Sequence, residues 1–205
     1  MNLIAFADET ASESPAPGGG SISAYVGSLG ISLATMVANL SSHKKGWDER
    51  WEEFSTWAQK GQNLKDELLK LVDADTAAFN KIMTAFALPK STDEEKNIRT
   101  KAIQEATKFA IDIPFKVMQL SFESLSIIKA MAEVGNPNSI SDAGVGALCA
   151  RTAVMGAFMN VRINATGYTD KKFVNEIIVK GNEIEQKTIA LENEILKIVN
   201  DKIGV

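Results

Sequence analysis

The sequence predicts an all-α fold, one domain built as a bundle of long antiparallel helices. Three observations carry this. Apolar residues recur at three- and four-residue steps over long stretches. Proline, glycine and asparagine punctuation cuts the chain into a few long segments. No segment shows the strict alternation of a half-buried strand. With 205 residues, 45% of them apolar, the chain can bury a substantial core.

The elements follow in order. Residues 2–11 give a short amphipathic helix. A second spans 20–42 and is rich in Gly, Ala and Ser; small residues let helix axes approach closely, which places it centrally. A third runs from Trp47 to Leu88, with Trp47, Trp51, Phe54, Ala58, Leu64, Leu68, Leu71, Phe79, Ile82 and Phe86 on its apolar face, and Pro89 stops it. A fourth starts at Ser91-Thr92, where Thr92 and Glu95 form a capping-box pattern, and continues to Val134 with a kink expected at Pro114. Gly135-Asn136-Pro137 is a turn. The fifth helix extends from Ser139 to Asn164 and is again crowded with small residues. The last runs from Asp170 to Lys202. Two helices of small residues offer more close-packing surface than one bundle of this size needs, which predicts a homodimer with its site at or near the subunit interface.

Composition narrows the function. The net charge is −4 and no long basic run occurs, which gives no support for nucleic-acid binding. The single Cys149 excludes an internal disulfide and suits a reducing cytoplasm; among small apolar neighbours it reads as a packing thiol. The first residues carry no basic region before their apolar ones, so no signal peptide is expected, and no uncharged apolar run is expected to span a membrane. His43 is the only histidine, which argues against a histidine metal cluster or a Ser-His-Asp arrangement. Catalysis must then rest on carboxylates, amides, hydroxyls and helix termini.

The stretch from Ser14 to Ser21 is the densest signal. Pro15 and Pro17 restrict the backbone, while Gly18, Gly19 and Gly20 permit positive φ and close approach of another group. Ser21 is the expected N-cap of the second helix. Such a turn leaves N–H groups free for an anionic or carbonyl-bearing ligand, or it is simply a rigid helix entry. Ser21, Ser28, Ser32, Thr35 and Asn39 project from nearly one face. Ser28, Ser32 and Thr35 are expected to bond back to the preceding turn, leaving Ser21 and Asn39 for outside contacts. Asp75 falls near the Leu68–Leu71–Phe79 face, where a charge needs a partner or a purpose, whereas Asp73 reads as solvated. Asp142 lies in the first turn of the fifth helix, as a capping acid or as a carboxylate held ionised for chemistry.

Pro15-Ala-Pro-Gly-Gly-Gly-Ser21 with Met36-Val-Ala-Asn-Leu40, Asp75-Thr-Ala-Ala-Phe79, Leu88-Pro-Lys90, Ile113-Pro114, Gly135-Asn-Pro-Asn-Ser-Ile-Ser-Asp142 and Asn160-Val-Arg-Ile-Asn164 span nearly the whole chain. In this order they resemble the cyclodeaminase/cyclohydrolase family of folate enzymes. The segment Ser41-Ser-His-Lys-Lys-Gly46 departs from the threonine-then-basic run expected there. The resemblance implies an all-helical, dimeric, cofactor-free fold acting on one-carbon adducts of tetrahydrofolate, a chemistry that requires no metal. It implies formiminotetrahydrofolate cyclodeaminase activity, with ammonia expelled as the methenyl bridge closes, and a separate formiminotransferase to supply the substrate. Methenyltetrahydrofolate cyclohydrolase is the near rival, and a non-catalytic helical scaffold for a transferase the distant one. Within this frame Asp142 or Asp75 stabilises the cationic carbon and shuttles a proton. Asn136, Asn160 and Asn164 orient the pterin or the leaving group, and Asn39 contacts substrate. Gly18, Gly19, Gly20 and Ser21 cradle a ring carbonyl, and Lys44 and Lys45 meet the glutamate tail or sit solvated in their turn.

Overall fold

The structure is a computed structural model, and it describes residues 2–204. Six helices make the fold: α1 (Leu3–Ala11), α2 (Gly19–Ser42), α3 (Trp51–Phe86), α4 (Asp93–Val134), α5 (Ile140–Ala165) and α6 (Lys171–Ile203). Short 3-10 turns lie at Asp48–Arg50 and Pro137–Ser139, and no strand occurs among the described residues. The predicted all-helical architecture therefore holds, with end corrections of a few residues.

Helices whose start is marked by their own side chains begin where expected. Asn2 accepts a hydrogen bond from the Ala5 amide, Thr92 and Glu95 close a complete capping box, and Asp170 accepts from Phe173. The third helix starts later than predicted. Trp47 stands outside it, stacked on Phe54 at 5.6 Å with the Lys44 ammonium 4.1 Å above its ring. The fourth runs unbroken through Pro114, which is buried inside it.

The start of α2 is a correction. Its N-cap is Gly18, not Ser21, and Gly18 has an extended backbone. None of the three turn glycines adopts positive φ; among the described residues only Gly46 and Gly204 do. The expected use of left-handed geometry fails, and the expected close approach holds. A Cβ on Gly20 would collide with the Asp75 carboxylate, and one on Gly19 would lie 3.2 Å from the Asn160 amide nitrogen.

Helix α2 lies at the centre, packed against α3, α4 and α5. It runs antiparallel to α5, with Gly30 facing Gly146, Gly27 facing Ala153 and Gly19 facing Asn160. Glycine at these crossings brings the backbones together, since a Cβ on Gly30 would stand 2.9 Å from the Gly146 carbonyl oxygen. Both Gly19–Ser42 and Pro137–Ala165 are, by length and composition, apolar enough to cross a membrane; the first is uncharged, which corrects the expectation that no such run exists, while the second carries Asp142, Arg151 and Arg162. Much of each lies buried inside the bundle, so this apolar character serves helix packing. Ser28, Ser32 and Thr35 bond back to Tyr25, Ser28 and Ile31 as expected. Helix α6 is pinned to α5 by the fully buried Glu192, whose carboxylate meets the Arg151 guanidinium at 2.7 Å.

Candidate active site

The site is built where the first turn of α2 meets the middle of α3. Gly18 has no side chain to cap the helix, so the first-turn N–H groups lack a local acceptor. Asp75 supplies one from α3. Its Oδ2 accepts the Ser21 hydroxyl at 2.9 Å, and the Ser21 backbone N–H also points at the carboxylate. The same hydroxyl lies 3.2 Å from the Val72 carbonyl. The first-turn contact to an anion is thus made by Ser21 to the protein's own Asp75. Burial pushes the Asp75 carboxyl above its ordinary value, and the two Ser21 contacts pull it partway back. A carboxylate raised by burial at a cavity wall is a candidate proton-transfer group.

The carboxylate opens onto a small cavity of about 160 Å³ lined by Gly18, Gly19, Gly20, Ala110, Asn160 and Asn164, with Phe79 and Ile82 as its apolar wall. Asn160 donates from Nδ2 to the Gly156 carbonyl at 2.9 Å, and Asn164 donates from Nδ2 to the Ala110 carbonyl at 2.7 Å. Both amides therefore keep an oxygen acceptor for a ligand, beside the Asp75 carboxylate. Across the Ala16–Pro17 strap lies a larger cleft of about 790 Å³, walled by Phe6, Tyr25, Leu69 and Val72. That volume suits a small organic molecule.

The remaining predicted residues gather at the opposite end of the bundle. Asn39 is exposed in the last turn of α2, in a shallow groove with Thr35, His43 and Gln59. Lys45 is solvent-exposed, and Lys44 rests on Trp47. Asn136 shapes its own turn, donating its backbone N–H to Ser41 Oγ at 2.8 Å and accepting from the Asn138 amide. Asp142 is half-buried in the first turn of α5. Eighteen residues of helix separate it from Asn160, roughly 27 Å along the axis. One chain therefore brings together Gly18, Gly19, Gly20, Ser21, Asp75, Asn160 and Asn164, and holds Asn39, Lys44, Lys45, Asn136 and Asp142 apart from them. The Ala110 carbonyl and the Phe79–Ile82 wall escaped the sequence reading; the one signal for the carbonyl is a proline four residues later. Among the described residues no cluster of His, Cys, Asp and Glu is arranged to hold a metal ion.

The fold and cavity define an all-helical domain with a small cavity in which a helix-capping carboxylate stands beside two carboxamides. Comparison with known proteins makes the assignment specific. The chain belongs to the formiminotransferase-cyclodeaminase family, whose model matches residues 2–183. It is 37% identical over 199 residues to the methenyltetrahydrofolate cyclohydrolase of Methylorubrum extorquens, covering 97% of this chain and 96% of that protein. It is 38% identical over 174 residues to the formimidoyltransferase-cyclodeaminase of Gallus gallus, but spans only 32% of that longer protein. Its fold matches the crystal structure of formiminotetrahydrofolate cyclodeaminase from Thermotoga maritima with a TM-score of 0.87 and 27% identity, over 99% of this chain and 98% of that one.

Proposed function

We propose that the chain is a methenyltetrahydrofolate cyclohydrolase, hydrating 5,10-methenyltetrahydrofolate to 10-formyltetrahydrofolate. The observation that carries this is the end-to-end match to a stand-alone protein of that name. It shifts the balance from cyclodeaminase, the activity favoured on sequence alone. The cavity's chemistry supports the reading. The methenyl carbon is cationic and flanked by two nitrogens, so an adjacent carboxylate stabilises it electrostatically. Asp75 takes a proton from the attacking water as the C–O bond forms. It returns that proton to N5 as the C–N5 bond breaks, and the hydroxyl proton leaves to solvent as the formyl group forms. Asn160 and Asn164 offer oxygens to ring N–H groups, and the larger cleft takes the aromatic amide portion.

Formiminotetrahydrofolate cyclodeaminase is the second reading, favoured by the end-to-end fold match to a protein so titled. There the same carboxylate would serve the expulsion of ammonia, and a separate formiminotransferase would be the supplier. An ultraviolet assay of purified protein separates these readings. Loss of methenyltetrahydrofolate absorbance above the uncatalysed rate is expected. Its appearance from formiminotetrahydrofolate, without the hydrolysis, would replace this reading with the second. Silence with both folates would leave the scaffold reading.

We infer also that the working form is a homodimer. Leu29, Met36 and Leu40 on α2 and Val145, Leu148, Met159 and Ile163 on α5 leave apolar side chains exposed on neighbouring antiparallel helices. A second copy seated on these stripes, turned end for end, would set one protomer's Asp142 end beside the other's Asp75 cavity.

A further inference from the structure

Pro114 sits in the middle of α4, buried, in an otherwise continuous helix. A proline there costs stability, because it lacks the N–H that would bond the carbonyl four residues earlier. That carbonyl is Ala110, which lines the Asp75 cavity. It is not left unpaired: Asn164, from the last turn of α5, donates its side-chain amide to it at 2.7 Å. The bond joins two helices at the cavity wall, engages one of the amide's two N–H donors and so fixes which way the amide faces. No bond to Asn164 Oδ1 is made among the described residues.

We propose that Pro114 is a positioning residue: it withholds an N–H so that the Ala110 carbonyl is free to hold Asn164 with its oxygen offered to the ligand. An ordinary residue at this position would close the helical bond and compete for the carbonyl. The Asn164 amide would then be free to rotate about its terminal torsion and present oxygen or nitrogen to the cavity. With Asn164 held through Pro114 and Asn160 held by its own bond to the Gly156 carbonyl, both line the Asp75 cavity with their oxygens unengaged, a set that favours a ligand edge of N–H donors. The 2-amino-pyrimidinone edge of a pterin is such an edge; this part rests on the folate reading above.

The test compares wild type with Pro114→Val and Pro114→Ala, each alone and combined with Asn164→Ala. Valine restores the N–H while keeping close to the ring's volume, so it serves where the alanine variant fails to fold. In ligand-free protein the Asn164 side-chain amide signals, assigned by their loss in Asn164→Ala, are followed by 1H–15N NMR. In wild type one proton should be shifted downfield and exchange slowly; in Pro114→Val both should move to free-amide positions. With methenyltetrahydrofolate, Pro114→Val should raise KM about tenfold with kcat changed less than about threefold, and should add less than about twofold in the Asn164→Ala background. An unchanged Asn164 amide in Pro114→Val overturns the proposal, as does an equal kinetic loss in both backgrounds. If the amide is released in the variant while wild type turns over neither folate, the positioning stands and the folate reading falls.

Discussion

At the residue scale the pair Gly20 and Asp75 carries the most consequence. Asp75→Asn keeps the shape and can still accept the Ser21 hydroxyl, but loses the charge and the titratable proton. Turnover should fall about a hundredfold or more. Burial raises the folded carboxyl's affinity for protons, so ionisation of Asp75 opposes folding. The stability this group contributes is full below its ordinary value of 3.8 and is lost as pH rises through the raised folded value. Denaturant titrations should therefore show the asparagine variant gaining on wild type as pH increases over that range, then holding a constant lead. The acid limb of kcat/KM should lie above the ordinary carboxylate value. Gly20→Ala tests the close approach by another route. Its Cβ must displace the Asp75 carboxylate, so activity should drop at least about tenfold while thermal unfolding moves by a few degrees. Gly19→Val has no positive φ to violate; its Cβ lies closest to the Asn160 amide, and the variant should act through that contact.

At the element scale, what could be read from the sequence was whatever a helix announces about itself. Asn2, Thr92 and Asp170 mark their own helix starts, and Pro89 fixes the end of α3. Helix α2 has no such mark, because its cap arrives from Asp75, fifty-four positions along the chain. Local pattern carries no trace of that partner. Helical spacing likewise singled out Asp75 as a charge on an apolar face but could not say which end of which helix would meet it. On sequence Asp142, a first-turn acid, stands ahead of Asp75 as the catalytic candidate, and only the antiparallel run of α5 against α2 shows that it lies at the far end from Asn160. Long-range pairing also governs α6. Arg151→Ala would leave Glu192 charged and fully buried, which should cost about 2–3 kcal/mol given that the arginine itself is partly exposed. A Tm lowered by about 4–10 °C in calorimetry would register this, and an unchanged Tm would mean that water reaches the carboxylate.

At the scale of the whole molecule, the split of the predicted residues between two ends is informative. A monomer has no way to use both. The proposed end-for-end dimer does, and it makes a quantitative demand. Asp75→Asn and Asp142→Asn proteins, each impaired alone, should complement when subunits are mixed and allowed to exchange. Half the dimers would then be mixed, each with one intact site of two, for a recovery of about a quarter of wild-type activity. Sedimentation velocity should show a dimer at micromolar concentration, and a charge placed at exposed Leu148 should shift it toward monomer. A fully active monomer, or mixing without recovery, would remove the composite site and leave Asp75 to act with its own cavity alone.

The carboxylate that caps α2 from α3 has one more implication, for how far this protein can be varied. The same carboxylate closes a helix end and faces the cavity, so architecture and the proposed reactivity share one side chain. A variant that replaces Asp75 with a side chain unable to accept from Ser21 must also re-cap α2, and one that re-caps α2 with a serine or aspartate at Gly18 would loosen the hold on the acid. Drift at either place is constrained by the other, and the Gly18–Ser21 turn and Asp75 should change together across descendants of this chain or not at all.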